Sequence, residues 1–410
     1  MQHRSIRRGI SLLFFFSVVA MVQADDWPAW RGPATDGHTK ETDLPTKWDP
    51  KSVVWRTQLP GEGQSSPVIW GDRIFLTTAL DKGKDRVVLC IDRAKGTIIW
   101  QHKVWTGSPE GIHKMNGWAT PTCATDGEHV IAFFGRGGLH CFTVDGKKLW
   151  SRDLGEFPGS WGAGACPILF GDLVIQNCDA MGKSSLLAVD RKTGKDVWQT
   201  PRQTPPKGGW STPVLIESNK RKELVLNGEP YVFSYDPATG KELWRCKAFA
   251  GRGEPTVAPG IDKVFIINGL PGDIYSVKLG GNGDVTKTHI AWHTGRKGGR
   301  DQPSPIVVGK YLVTADMGGI ATCYDAASGK QLWRDRLRST FTSSPIAVNG
   351  LVYFLGEDGI TSVIEPADTF KLVGEYSVGA EKSEIFRASP APAHGQIFVR
   401  SQTHLYCIGK

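Results

Sequence analysis

The chain has 410 residues and a formal net charge of +8, with 49 glycines and 25 prolines. This length allows two or three ordinary domains or one large domain built from repeats. Because Gly and Pro punctuate strands rather than helices, the composition favours a turn-rich β protein and argues against long amphipathic helices. Lys and Arg are scattered, and their densest cluster, SNKRKEL, indicates a solvated loop; we therefore expect no nucleic-acid partner.

The first 24 residues, 1–24, have the pattern of a signal peptide. Arg4, Arg7 and Arg8 precede the apolar run ISLLFFFSVVAMV, and Ala24 closes VQA before DDW. The run is too short to span a bilayer comfortably and no second run follows, so we expect no transmembrane segment after signal removal. No cysteine occupies the cleavage point, which argues against a lipid anchor. The sequence thus predicts a periplasmic or secreted protein, with a net charge of about +5 once the three arginines are removed.

A leader segment, residues 25–50, separates the signal from the first predicted strand, VVWRTQL. From residue 51 onward a short motif recurs, in which a turn rich in Asp and Gly leads into a strand that carries a tryptophan. In DPATGKELW, Asp236 can accept hydrogen bonds from the following amides, and Gly240 supplies the left-handed residue of the hairpin. Such strands carry Trp100, Trp150, Trp198, Trp244, Trp292 and Trp333, and Trp55 lies in a similar strand that lacks the turn.

Each tryptophan strand is followed by a step of small and polar residues with a proline. The eight steps are QSSPV, WATPT, GACPI, WSTPV, GEPTV, QPSPI, TSSPI and RASPA. Four short strands recur in about 40 to 54 residues, a period typical of propeller blades. The sequence therefore predicts an all-β, eight-bladed β-propeller over residues 51–410, in which each tryptophan docks against the neighbouring blade.

The last repeat supplies three strands before the chain stops. The orphan strand around Trp55 lies at the other end of the sequence and has no preceding turn. Pairing between the two would close the ring and remove exposed sheet edges. We therefore expect the N-terminal strand to complete the eighth blade.

The eight cysteines include no CxxC, no CxxCH haem signature and no adjacent pair. Cys90, Cys323 and Cys407 occupy the same place in their repeats, where an inward small hydrophobe fits. We expect buried free thiols, with disulfide bridges as the alternative.

These repeats resemble the tryptophan-docking repeat of the PQQ-like (pyrrolo-quinoline quinone) β-propellers, from about residue 50 to residue 410. That superfamily includes quinoprotein alcohol and glucose dehydrogenases and the propeller-type outer-membrane barrel-assembly factor. The leader DWPAWRGPATDGHTKETDLPTKW is similar to that of PQQ-like repeat proteins in bacteria such as planctomycetes. The resemblance implies the fold and an exported bacterial protein, but fold alone does not carry function.

The two branches of this superfamily imply different functions. Resemblance to the dehydrogenases implies PQQ held with calcium in the central funnel, a catalytic carboxylate and a vicinal Cys-Cys ring. This chain lacks adjacent cysteines, is much shorter than those enzymes, and offers no position to which their ligands can be assigned. Resemblance to the assembly factor implies a non-catalytic scaffold that binds partner proteins through its loops.

Loops that enter the innermost strands of a propeller gather at one mouth of the central channel, and their side chains are the candidate site. We predict ligand binding by Trp118, Trp161, Trp210, Arg252, Glu254, Arg300, Asp301, Gln302 and Arg387. Glu62, Gln64, Asn116, Phe341 and Glu384 stand near the same steps. The aromatics could stack a flat anionic cofactor, a sugar or a peptide. Alternatively, they fill the channel while the charges pair with one another.

Catalytic and metal-binding spacings are absent from the sequence: there is no HExxH, GxSxG or EF-hand loop. The GGNGD run from Gly280 could bind calcium, but we expect a plain glycine turn. We predict a monomeric, non-catalytic binding or scaffold module with no cofactor and no catalytic residue, for an unidentified protein, small-molecule or carbohydrate ligand. The alternative is a quinoprotein-type oxidoreductase that binds PQQ and calcium.

Overall fold

The computed structural model describes residues 26–202, 210–218, 221–248, 255–269, 272–295 and 303–409. The predicted signal peptide, 1–24, lies outside these residues. Eight antiparallel sheets follow one another along the chain, and each is numbered here as a blade in that order. The predicted eight-bladed all-β propeller is confirmed.

Each blade runs from an innermost strand at the channel to an outermost strand at the rim. The innermost strands are Val68–Trp70, Ala124–Thr125, Ile168–Phe170, Val214–Ser218, Ala258–Gly260, Ile306–Val308, Ile346–Val348 and Ala391–Ala393. The second strands are Arg73–Leu80, His129–Phe133, Leu173–Asn177, Arg221–Gly228, Lys263–Ile267, Tyr311–Ala315, Leu351–Leu355 and Gln396–Arg400.

The third strands are Asp85–Asp92, Leu139–Thr143, Ser185–Asp190, Tyr231–Tyr235, Ile274–Lys278, Ile320–Asp325, Ile360–Ile364 and His404–Gly409. The outermost strands of blades 1 to 7 are Ile98–Thr106, Lys148–Arg152, Asp196–Pro201, Glu242–Cys246, Ile290–Thr294, Gln331–Arg336 and Leu372–Ser377. Short helical turns span Pro50–Ser52, Asp81–Gly83, Gly135–Gly137 and Thr286–His289. No helix in the described part of the chain is both long and apolar enough to cross a membrane.

The eighth blade is completed from the other end of the chain. Its outermost strand is Val53–Gln58, which pairs antiparallel with His404–Gly409, so that Trp55 lies opposite Cys407. The expected closure by the N-terminal strand is therefore confirmed. The N-terminal strand and the C-terminal strand, each of which would otherwise have a free edge, thus pair with each other.

Burial follows the position of a strand within its blade. His129–Phe133, a second strand, is buried at every position because neighbouring blades cover both of its faces. The outermost strand Asp196–Pro201 alternates between exposed and half-buried residues because only one of its faces meets protein. The hydrophobic core therefore lies between the blades, around the ring.

The predicted docking tryptophans lie on outermost strands and reach the following blade. The indoles of Trp55, Trp100, Trp150, Trp292 and Trp333 donate to the main-chain carbonyls of Arg93, Val144, Arg191, Ala326 and Ala367, at 2.8 to 3.1 Å. In five cases, those of Trp55, Trp100, Trp150, Trp198 and Trp292, the indole packs directly against the turn glycine of the following blade. A side chain on those glycines would meet the indole, which explains why Gly recurs in the turn.

Trp244 departs from this arrangement. Its indole donates to the buried carboxylate of Glu223 in its own blade, at 2.6 Å. The expected plain glycine turn after Gly280 instead forms a short strand, Gly283–Asp284, which pairs parallel with Glu242–Cys246. The insertion of blade 5 thus adds a fifth strand to blade 4, and the Trp244 side chain is completely buried.

The leader crosses the face of the ring at which the innermost strands end. Trp27 exchanges backbone hydrogen bonds with Ile69 of blade 1, and the amide of Thr125 in blade 2 donates to the carbonyl of Pro28. The Arg31 guanidinium then reaches the carbonyl of Pro305 in blade 6, at 2.9 Å. Blades 2 and 6 are opposite in an eight-membered ring, so the leader passes over the channel axis.

Beyond the axis the leader remains attached to the ring. Gly37 and Thr39 bond with Ala347 of blade 7. The carboxylate of Glu41 accepts the amides of His394 and Gly395 in blade 8. Trp27, Leu44 and Trp48 join the core between blades 1, 7 and 8. The leader therefore forms the closed end of the central channel.

Candidate functional site: the open end of the central cavity

A closed belt of hydrogen bonds surrounds the channel where the chain enters the innermost strands. One residue of each blade accepts, through its side-chain hydroxyl or thiol, the backbone N–H of the equivalent residue in the preceding blade. The distances run from 2.8 to 3.2 Å. The belt consists of Ser66, Thr122, Cys166, Thr212, Thr256, Ser304, Ser344 and Ser389.

The belt residues lie next to the proline of each recurring step. Six of them precede the proline, whereas Thr122 and Thr256 follow it. The position that recurs in every blade is therefore that of the accepting hydroxyl or thiol, not that of the proline. The amide of Ser389 donates to Ser66 Oγ at 2.9 Å, which closes the belt between the last blade and the first. Burial raises the pKa of the Cys166 thiol, so this group stays protonated and is not a nucleophile.

A cavity of about 180 Å³ lies inside the belt. Its lining includes Trp30 of the leader, seven of the eight belt residues, and side chains of the entry loops. Trp30 lies beside Arg31, with the guanidinium over its ring. Burial lowers the pKa of Arg31 to about 10, although the nearby Asp36 acts in the opposite direction. The leader thus forms the floor of the cavity, and the described entry loops of blades 1, 2, 3, 4, 7 and 8 line its open mouth.

Two tryptophans form an aromatic wall on the side of blades 3 and 4. The rings of Trp161 and Trp210 meet edge to face, with centroids 6.4 Å apart, and His113 stacks on Trp161 at 3.9 Å. The Trp210 indole donates to the carbonyl of Gly162 at 3.0 Å. Asn116 donates to the carbonyls of Trp161 and Ala163. The wall is therefore held in place before any ligand arrives.

Arg387 is the charged side chain in the described lining, and it is paired. Its Nε donates to Glu357 at 2.9 Å, and its Nη1 donates to the carbonyl of Met115 at 3.1 Å. Gln64 donates to the same carbonyl at 3.2 Å. These bonds tie the loop between blades 1 and 2 to the first and last blades, and they neutralise the charge at the mouth.

The other predicted site residues have different positions. Trp118 lies outside the cavity lining: its indole donates to the carbonyl of Glu110 and its ring packs over Gly83. The side chain of Glu384 points into blade 8, where it accepts a hydrogen bond from the Tyr406 hydroxyl. Phe341 is buried in the hydrophobic core. Arg252, Glu254, Arg300, Asp301 and Gln302 lie outside the described residues. Of the nine predicted residues, the structure brings Trp161, Trp210 and Arg387 together.

The described lining does not fit calcium and PQQ. Calcium takes six to eight oxygen ligands with carboxylates among them, whereas the described lining residues contribute no carboxylate. Across the described ranges, no group of three or more His, Cys, Asp or Glu side chains could hold a metal. PQQ is a fused tricyclic tricarboxylate, and the described lining offers it one arginine that Glu357 already neutralises.

Three parts of the site could not be predicted from the sequence: the belt, Trp30 and His113. The recurring Ser, Thr or Cys at the proline step was visible, but only the ring geometry brings these eight residues together. Trp30 gave no signal of its own, because nothing in the leader sequence indicates that it crosses the channel. His113 was also missed, since its role depends on how the loop between blades 1 and 2 folds back.

Comparisons with known proteins place the chain among proteins of this architecture. The family model described as outer membrane protein assembly factor BamB matches residues 39–175, 182–265 and 282–403. The outer membrane protein assembly factor BamB of Shewanella oneidensis is 26% identical over 330 residues, covering 76% of either chain. The crystal structure of BamB from Moraxella catarrhalis has a TM-score of 0.63 at 14% identity, covering 87% of this chain and 99% of that one.

A relative from the enzymatic branch also matches. The polyvinylalcohol dehydrogenase of a Pseudomonas species is 22% identical over 264 residues, which cover 54% of this chain. The match spans 40% of the length of that dehydrogenase. The shared repeats therefore account for less than half of the enzyme.

Proposed function

Because the chain belongs to the PQQ-like repeat family whose model is described as outer membrane protein assembly factor BamB, we propose that it is a binding and scaffold module without catalysis of its own. It acts as a monomer in the periplasm or outside the cell. Its ligand, a protein segment or a small molecule, enters the open mouth of the central cavity.

The observation that carries this proposal is the one-ended cavity. The leader supplies the floor, the belt and the entry loops supply the wall, and Trp161 and Trp210 present fixed aromatic surface to the interior. A concave site with aromatic walls and a few convergent polar groups is the usual form of a ligand pocket. A channel that merely packed against itself would leave no such space.

The chemistry of the lining supports binding over catalysis. Burial keeps the Cys166 thiol protonated, and Arg387 is already paired with Glu357. Neither a general base nor an activated nucleophile lies among the described lining residues. The relatives named outer membrane protein assembly factors and the predicted signal peptide both support a location beyond the cytoplasmic membrane.

The competing quinoprotein function is tested by titrating the mature protein with PQQ and calcium. Tryptophan fluorescence follows binding, and dye-linked oxidation of simple alcohols and sugars follows turnover. The proposal predicts no saturable quenching at micromolar PQQ and no turnover. Saturable quenching that is accompanied by turnover would contradict it and establish the enzymatic alternative.

A further inference from the structure

The two sides of the cavity carry different chemistry. Blades 6, 7, 8 and 1 contribute serines to the belt: Ser304, Ser344, Ser389 and Ser66. Blades 3 and 4, on the opposite side of the ring, carry the loops of Trp161 and Trp210. The four serines therefore form a side, called here the hydroxyl side, that faces an aromatic side, where the belt residues Thr122 and Thr212 also lie.

The four serine hydroxyls have protons to donate. Each oxygen accepts one backbone N–H from the preceding blade. Elsewhere in the belt, Thr256 donates to the carbonyl of Thr212 and the Cys166 thiol lies near the carbonyl of Gly164. Within the described ranges, the four serine O–H groups have no protein acceptor, although all four side chains are more than nine-tenths buried. In the same part of the chain, the buried hydroxyls of Thr122 and Thr212, beside the tryptophans, have no protein acceptor either. A buried hydroxyl that lacks an acceptor favours a ligand or water that supplies one.

The size and charge of the cavity narrow the ligand class further. A cavity of about 150 Å³ holds a benzene ring, and this one has about 180 Å³ and an open mouth. It therefore accommodates one six-membered ring, while the remainder of a longer ligand extends through the mouth. Because Arg387 is neutralised by Glu357, no unpaired charge of the described lining selects for an ionic ligand.

From these features we propose that the cavity binds one pyranose ring of a neutral carbohydrate. The apolar C–H face of the sugar lies against Trp210 and Trp161, and its hydroxyl oxygens accept hydrogen bonds from the serine side. A flat aromatic surface and opposed hydroxyl donors match the two kinds of surface that a pyranose ring presents. This inference rests on the proposed function, because it names the ligand class of the same site.

The test uses methyl β-D-glucopyranoside, methyl β-D-galactopyranoside, methyl α-D-mannopyranoside and N-acetylglucosamine as probes of the mature protein. Binding is followed by tryptophan fluorescence and by saturation-transfer NMR. We expect at least one probe to bind saturably, with a Kd of about 1 mM, as suits a single small ring. If all four probes fail to saturate up to about 50 mM, the ligand class is wrong.

Variants locate the binding in the cavity. Trp210→Ala is expected to weaken binding at least about tenfold, while Trp210→Phe, which keeps a flat ring, retains most of it. Trp70→Ala is the matched control, because this exposed indole lies outside the cavity lining, where an innermost strand ends, against Gly127. Binding that is equal in Trp210→Ala and wild type would overturn the proposal.

The serine side is tested at Ser344. Ser344→Ala removes the hydroxyl and is expected to weaken binding several-fold, while Ser344→Thr restores it, since threonine occupies the equivalent position in blades 2, 4 and 5. Thermal unfolding of each variant separates lost binding from lost folding. Equal affinity in the alanine and threonine variants would remove the hydroxyl side from the site and contradict the proposal.

Failure of this inference is distinguishable from failure of the proposed function. If no pyranoside binds, PQQ gives no turnover and a protein partner is cross-linked at the mouth, the carbohydrate class is wrong and the binding function stands. If PQQ binds with turnover, the proposed function itself is wrong.

Discussion

The carboxylate of Glu384 lies 3.0 Å from the guanidinium of Arg56 and joins the two ends of the chain. Arg56 belongs to the N-terminal strand, and Glu384 precedes the innermost strand of blade 8. The carboxylate also accepts the hydroxyls of Tyr406 and Ser401, each at 2.6 Å. Ring closure therefore depends on one buried acid as well as on strand pairing.

Replacing this acid should loosen the closure. Burial by itself would raise the pKa of Glu384, but hydrogen bonds from Ser401, Tyr406 and Arg56 hold it below its ordinary value. Glu384→Gln removes the ion pair and disturbs these bonds, so we expect a loss of about 2 to 3 kcal/mol in the free energy of unfolding. Hydrogen exchange should show faster exchange along Val53–Gln58.

Glu381→Gln is the matched control. Glu381 also pairs with Arg56, at 3.1 Å, but its side chain is 68% exposed. Solvent screens such a pair, so the change in stability should be under about 1 kcal/mol. Equal effects of the two substitutions would show that burial of Glu384 is not what matters at the closure.

The packing of a turn glycine on a tryptophan can be tested at Gly194. Its φ is +69°, and an added Cβ would lie 2.7 Å from the ring of Trp150. Gly171 has a φ of +55° and nothing within 4 Å of such a Cβ. Gly171→Ala should lose about 1 kcal/mol from backbone strain alone, while Gly194→Ala should lose about 1 to 3 kcal/mol more from overpacking. Thermal melts of the two variants measure the difference, and equal losses would contradict a steric role for the indole.

Acid stability should depend on His140. Burial lowers the pKa of His140 to about 4 from an ordinary 6.5, although its ring bonds to Gly137 and Ser151. Between these two pKa values His140 is protonated in the unfolded chain but neutral in the folded chain. The free energy of unfolding therefore falls as the pH drops from 6.5 towards 4. The loss approaches about 3 kcal/mol at the lower end.

Melting temperatures at pH 7 and pH 5 check this dependence. His140→Gln should be less stable at pH 7 but should lose less on acidification than the wild type does. His293→Gln, at an exposed ring, should keep the wild-type difference. If the melting temperature of the His140 variant falls between pH 7 and pH 5 as much as that of the wild type, other groups govern the loss of stability in acid.

The leader should contribute to stability through Trp27. This side chain is fully buried in the core that joins blades 1, 7 and 8, and the chain turns at Gly32 directly over its ring. Trp27→Ala should cost about 3 to 5 kcal/mol. Trp30→Ala, which removes a half-buried ring from the cavity floor, should cost much less. If both variants melt alike, the leader is not anchored as described.

The repeat period and the turn residues were enough to predict the propeller ring and its closure, because each blade repeats the same pattern of turn, tryptophan strand and proline step. Trp100 and Gly146 could be predicted to shape a blade, since local sequence determines both. The site is different. Ser66 and Ser389 are 323 residues apart and meet only when the ring closes, and Trp30 reaches the cavity through a leader without periodicity. Trp118 shows the converse: it shares the position of Trp210 before the proline step, but an additional loop draws its ring away from the channel.

Whether ligands enter at the open mouth can be tested by site-specific photo-cross-linking. A benzophenone amino acid is placed at Thr342 or Gln64, beside the mouth, and at Asn349 or Trp70, beside the leader. The protein is then irradiated in cells of its own host. We expect adducts of defined mass from the mouth positions and none from the leader face. Adducts confined to the leader face would contradict this expectation.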